Sequence, residues 1–361
     1  MVDTNHLTLA VAGSGKTQSI IDACVAADPA QKILVLTYTS ANQRVLKQRL
    51  ASEAGDRHRI EVTGWFSFLI GEFVRPYLPF EFPGKRVRGF DFKSDPQQYV
   101  GNDEWRRYFN RQDEVRRVHL AQLAHRVNQA AAGAPIRRLA RVYDHIYIDE
   151  VQDLCGWDLE ILDLLMDSEM SLTMVGDVRQ AILVTNNRER KNKQYMYLKV
   201  WDWLRRKERA GKLLIAQDRE SYRCGPEITQ FADSLFSDEL GFESTISKRH
   251  AHSIHQGIFL VKTSDVDSYV YKFRPLLLRR TASSGRSLAQ HQPINIGLAK
   301  GMESDHVLIH PTSEIKSMLR TSTALDSNRA AYLYVAVTRA KHSVAFILDD
   351  PGDCAFPFWS P

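Results

Sequence analysis

Short apolar runs separated by amphipathic stretches organise most of this 361-residue chain. Ile33-Leu34-Val35-Leu36 reads as a buried strand, and residues 42–51 behind it carry apolar positions at helical spacing. Residues 59–63, 145–148 and 172–175 are further strand candidates. After about Lys212 the pattern restarts, with a helix over 225–235, strands over 257–261 and 305–309, a helix over 328–339 and a strand over 343–348. Strands alternating with helices predict parallel sheets. The expectation is therefore an α/β chain of two similar domains, 1–215 and 216–361, the second ending in a short aromatic tail.

Between about residues 71 and 135 the pattern changes. Apolar positions recur at helical spacing, as at Val115, Val118, Leu123 and Val127, and β-branched runs disappear. A mostly helical insertion in the first domain is expected there. From Glu104 to Arg141 it holds nine arginines (106, 107, 111, 116, 117, 126, 137, 138 and 141) against Glu104, Asp113 and Glu114. Two readings stay open for this excess: a solvated helix face, or a surface that grips phosphates without reading sequence.

Composition narrows the class. Charged residues at 25% and apolar residues at 43% are those of a globular protein. Cys24, Cys155, Cys224 and Cys354 show no metal-ligand spacing, so zinc and iron–sulfur sites are not expected, and a reducing, cytoplasmic setting is. No apolar run approaches the length of a membrane span, and no cleavable leader is visible. The formal charge of +5 permits nucleic-acid binding without requiring it.

The chemistry lies in two segments far apart. Ala10-Val11-Ala12-Gly13-Ser14-Gly15-Lys16-Thr17 has the small residues that let backbone amides close on phosphates at a helix N-terminus. Lys16 would reach the outer phosphates of ATP, and Thr17 would ligate Mg²⁺. Downstream, the strand 145–148 delivers Asp149 toward that Mg²⁺ and Glu150 toward the attacking water. Gly13, Ser14, Gly15, Lys16, Thr17 and Asp149 are thus the nucleotide-site candidates, with Glu150 catalytic.

Further motifs follow in a fixed order: Leu36-Thr37-Tyr38-Thr39-Ser40-Ala41-Asn42, Val62-Thr63-Gly64-Trp65-Phe66-Ser67-Phe68, Val175-Gly176-Asp177-Val178-Arg179-Gln180, Ser221-Tyr222-Arg223-Cys224, Gly297-Leu298-Ala299-Lys300-Gly301-Met302-Glu303 and Tyr334-Val335-Ala336-Val337-Thr338-Arg339-Ala340. In that order the chain resembles the UvrD/Rep-like superfamily 1 DNA helicases over nearly its whole length. The resemblance implies two RecA-like P-loop domains and an ATP hydrolase moving 3′ to 5′ on single-stranded DNA or at a single-strand–duplex junction. It also implies Gln180 as a phosphate sensor, Arg223 and Arg339 as catalytic arginines, Glu303 at the nucleotide, and Thr37, Tyr38, Thr63, Trp65 and Lys300 at DNA. Phe68 is expected in the core, and His6, His145 and His306 as packing or surface histidines.

The departures from the family are informative. Val11 stands where relatives carry glycine, Gly297 where they carry histidine, and only nine residues precede Ala10, so the upstream adenine-reading motif is missing or replaced. After Gln180 a polar, basic stretch, Leu183 to Lys193, replaces the family's strand contacts. Only 76 residues separate Arg223 from Lys300, so the large helical subdomain of full-size relatives is absent or reduced to loops. A compact motor of this kind allows an alternative: a nucleotide- and DNA-sensing ATPase subunit that regulates a partner such as a nuclease, in DNA repair or anti-phage defence. The tail Phe356-Pro357-Phe358-Trp359-Ser360-Pro361 would either dock a partner or fold back on its own domain.

Overall fold

The computed structural model describes residues 5–55, 59–95, 99–250 and 253–361. The chain divides into two compact units, and the division is not a single cut. The first unit takes the residues up to Leu9, Lys16–Gly176 and Val184–Ala216; the second takes Ala10–Gly15, Asp177–Leu183 and Gln217–Pro361.

The described residues form fifteen strands, β1 to β15 in chain order. β1 (His6–Ala10), β2 (Ile33–Thr37), β3 (Ile60–Gly64), β6 (His145–Ile148), β7 (Ser171–Gly176) and β8 (Leu214–Asp218) form a six-stranded sheet in the order β3-β2-β6-β7-β1-β8. The pairings β2–β3, β2–β6, β6–β7 and β1–β7 are all parallel. β2 is buried along its whole length, as its continuous Ile-Leu-Val-Leu run requires of a central parallel strand. The helix Ser40–Glu53 follows it, started by Thr39, whose side chain accepts from the Asn42 amide at 3.1 Å. Ile20, Ile21, Cys24, Leu46 and Leu50 pack on this sheet against Val35, Val62 and Tyr147.

The insertion is helical in Arg75–Glu81, Leu120–Ala130 and Ala134–Val142, but it also contains a small parallel pair, β4 (Gly89–Asp91) with β5 (Glu114–Arg116). Val115 therefore lies on a strand, and the helical spacing becomes a helix only at Leu120. The structure also favours one reading of the arginine excess. Arg126 pairs with Glu81 at 2.6 Å and Asp103 at 2.7 Å, and Arg138 pairs with Glu72. Arg107 donates to Gln122, Arg116 to Ser94, Arg117 to the Thr185 carbonyl and Arg137 to the Ala132 carbonyl. Six of the nine thus have partners within the first unit, although Arg137 and Arg138 stay exposed alongside Arg106, Arg111 and Arg141.

In the second unit β11 (Gly257–Val261), β12 (Leu276–Arg279), β13 (Ile294–Asn295), β14 (Ser304–Ile309) and β15 (Ala340–Ile347) form a five-stranded sheet in the order β11-β15-β14-β12-β13, all pairs parallel. A short pair, β9 (Glu220–Ser221) with β10 (Ile246–Ser247), lies outside it. The helix Ser327–Val337 is capped by Asp326, which accepts from the Asn328 and Arg329 amides. Seven of its residues are buried, including Leu333 to Val337 without a break, so it is a central helix rather than an amphipathic one. The aromatic tail folds back: the Trp359 amide donates to the Leu260 carbonyl at 2.8 Å and Leu260 returns the bond to Pro357 at 2.9 Å. Trp359 buries its ring beside Tyr269 and Phe273.

Candidate nucleotide site

The first unit carries one set of the predicted residues from Lys16 onward, directly after the loop glycines, which belong to the second unit. Gly13 and Gly15 hold φ at +80° and +89°, a conformation that curls the loop before the helix Lys16–Ala26 begins. Thr17 Oγ1 donates to Asp149 Oδ2 at 3.2 Å. Asp149 stands at the end of β6 and is 2% exposed, and its Oδ1 is buried with no partner among the described residues. Burial, and next the Glu150 charge, push the Asp149 carboxyl up, against Lys16 and the Thr17 hydroxyl, which lower it. A divalent cation would satisfy Oδ1, and the Thr17 hydroxyl oxygen still has a lone pair to offer it, so this oxygen pair fits Mg²⁺. Glu150 adopts a left-handed backbone, φ +58°, which a glutamate rarely takes, and its carboxylate accepts from Gln152 Nε2.

The second unit carries the rest, together with the front of the phosphate loop. Ser221 Oγ donates to the Ala12 carbonyl at 2.8 Å and the Tyr222 amide to the Gly13 carbonyl at 3.0 Å. A Cβ on Gly13 would lie 2.5 Å from the Arg223 Cβ, so the loop and the arginine backbone are in close contact. Arg223 donates Nε to Glu303 at 3.2 Å and Nη1 to the Thr338 carbonyl at 3.2 Å. Glu303 also meets Lys341 at 2.7 Å, and Lys341 first and Arg223 second hold its carboxyl below the usual range. Arg339 is 1% exposed, with Nε on the Val335 carbonyl, Nη1 on the Met302 carbonyl and Nη2 on Gln180 Oε1 at 3.2 Å. Ser14 Oγ is buried with no partner among the described residues.

Two residues of these motifs had no assigned role in the sequence reading. Asp177, fully buried, accepts from Gln180 Nε2 at 2.9 Å, from Tyr334 Oη at 2.9 Å, and from Arg179 through its amide and Nε. Tyr334 Oη in turn accepts from the Ala12 amide at 3.3 Å. The only sequence signal was their place inside the same short motifs as Gln180 and Arg339.

The expected DNA contacts divide. Tyr38 is half-buried and meets Phe66 edge-on at 5.7 Å; Phe66 continues to Phe90 and to Phe92, which is 59% exposed. Thr63 and Lys300 are also half-buried. Trp65 is corrected: it is 1% exposed, its indole N–H donates to the buried Asp158 at 2.6 Å, and its ring offers no face to a base. Thr37, also 1% exposed, turns its hydroxyl inward, so it too is a core position here. Phe68 is in the core as expected.

A family model described as an AAA domain, AAA_19, matches residues 2–186, just over half of the 361. The chain belongs to the AAA_19 family. This AAA_19 chain also resembles solved helicase structures in fold. It matches the arterivirus nonstructural protein 10 helicase in complex with DNA at 14% identity and a TM-score of 0.50, over 97% of this chain and 61% of that one. A second structure of the arterivirus helicase matches at 13% and 0.49, over 97% and 60%, and the PRRSV helicase at 13% and 0.46, over 96% and 52%. The AAA_19 chain thus spans between 52% and 61% of the length of these helicases. No curated protein matches it in sequence. No helix among the described residues is long and apolar enough to cross a membrane.

Proposed function

We propose that this chain is an ATP-dependent motor of the UvrD/Rep-like superfamily 1 type that moves along single-stranded DNA. The observation that carries the reading is the pairing of Arg339 with Gln180 in the same compact unit that packs Arg223 on Gly13 of the phosphate loop. Three motifs distant in sequence are gathered around one loop built to cradle phosphates.

In this reading the loop amides and Lys16 bind the triphosphate, while Thr17 and Asp149 hold Mg²⁺, which supplies charge neutralisation to the phosphates. Glu150, projected by its left-handed backbone, orients the attacking water. Gln180 and Arg339 sit on the transferring phosphoryl group, and Arg223 leaves Glu303 to join them. An arginine placed on the developing charge contributes roughly 10³ to 10⁵ in rate. The half-exposed row Tyr38, Phe66, Phe90 and Phe92 supports contact with unpaired bases, since aromatic rings stack on any base.

The test is steady-state ATP hydrolysis with and without a single-stranded DNA oligonucleotide, with Glu150→Gln as the inactive control. Turnover that DNA stimulates at least several-fold and that Glu150→Gln abolishes is expected. Hydrolysis indifferent to DNA would reject the motor. Stimulation by RNA equal to that by DNA would move the substrate to single strands in general.

A further inference from the structure

We propose that Tyr334 is a positioning residue for phosphoryl transfer, its hydroxyl holding Asp177, which fixes the Gln180 amide and, through it, the Arg339 guanidinium. The assignment rests on the ATPase reading above and concerns atoms that reading leaves unused.

The hydrogen positions follow from the chemistry of the partners. Tyr334 Oη has one proton and two neighbours: the Ala12 N–H, which can only donate, and Asp177 Oδ2, which as a carboxylate can only accept. The phenol must therefore accept from the phosphate loop and donate to Asp177. The same carboxylate oxygen receives Gln180 Nε2 at 2.9 Å, which fixes the flip of that amide. With its nitrogen on Asp177, Gln180 turns Oε1 to Arg339 Nη2 at 3.2 Å. The opposite flip would set oxygen against carboxylate and nitrogen against guanidinium, losing both bonds. One line of hydrogen bonds thus runs from the Ala12 amide through Tyr334, Asp177 and Gln180 to Arg339.

Packing accounts for the ring of Tyr334 but not for its hydroxyl. The ring lies 4.8 Å from the Arg179 guanidinium and 5.5 Å from Phe236, contacts that phenylalanine would keep. The fully buried hydroxyl contributes only through Ala12 and Asp177.

Tyr334→Phe tests this. The expected result is a fall in kcat of about tenfold or more with KM for ATP within about twofold, since the lost bond orients groups in the transition state rather than binding ground-state ATP. A packing role alone would not produce that split. In a Gln180→Ala background the same substitution should add no further loss, because Tyr334 acts through Gln180. Asp177→Asn, which keeps the volume but presents an amide to Gln180, is the second variant and should reproduce the kcat loss. A Tyr334→Phe enzyme with unchanged kcat, or losses that multiply in the double variant, would overturn the assignment. A wild-type chain that hydrolyses no ATP would overturn the ATPase reading itself and this assignment with it.

Discussion

At Gly13 the backbone φ is +80°, and a methyl group there would sit 2.5 Å from the Arg223 Cβ. Any side chain must therefore strain the loop and push the arginine away at once. Gly13→Ala is expected to lower ATP turnover by about 100-fold or more and to cost about 1–3 kcal/mol in unfolding free energy. Turnover assays and denaturant titration check both; wild-type turnover would mean that Arg223 need not sit against the loop. The meeting of Thr17 with Asp149 was legible in the sequence because a phosphate loop and an acidic strand end have few other uses. Trp65 and Thr37 were not. Motif position is silent on which way a side chain points, and the buried Asp158 that accepts the Trp65 indole lies 93 residues downstream.

Secondary-structure elements show the same limit at larger reach. Val115 carries helical spacing, yet it pairs in β5 with a strand 25 residues earlier, so a tertiary contact overrides the local pattern. The tail peptide was undecided from sequence because its partner strand, β11, lies about 100 residues before it. That edge has a pH consequence. His255 is sandwiched between Phe259 at 4.2 Å and Phe273 at 4.0 Å and bonds Tyr269 Oη at 2.8 Å. Burial first, then the neighbouring His306 and Lys272, push its imidazole down to about 4. Between its unfolded value of about 6.5 and about 4 the unfolded chain binds a proton that the fold refuses. Stability is therefore complete above about 6.5 and falls with pH through that window, by roughly 1–2 kcal/mol at pH 5. His306 and His119 shift in the same direction, so the wild-type decline sums several groups. His255→Phe, which keeps the sandwich and loses the Tyr269 bond, is expected to be less stable at pH 7 but to decline less between pH 7 and pH 5. Equal declines in urea titrations would show that His255 protonates without cost.

For the whole molecule, alternation of strands and helices was enough to predict two parallel α/β units, because parallel strands need crossover helices. It could not show that residues 10–15 and 177–183 pack with the second unit, since that depends on hydrogen bonds to Tyr222, Asp218 and Tyr334, all distant in sequence. Charge is the other molecular property that the fold revises. The net +5 and the nine arginines of 104–141 left a phosphate-gripping surface and a solvated face equally open, and six of those arginines are engaged within the fold. Under the proposed function, contact with a single strand would then rest on few phosphates and more on the rings from Tyr38 to Phe92. If about three phosphates are neutralised, log affinity falls with log salt at a slope near −2, or roughly 20-fold between 50 and 200 mM. Phe92→Ala should weaken binding at every salt concentration by about 1–3 kcal/mol without altering that slope, because stacking releases no counterions. Fluorescence anisotropy with a labelled oligonucleotide measures both quantities. A slope of −5 or steeper would mean that the insertion arginines release their internal partners to hold DNA. A flat slope with no effect of Phe92→Ala would remove nucleic acid as the ligand of this face and leave the chain as a nucleotide-driven switch.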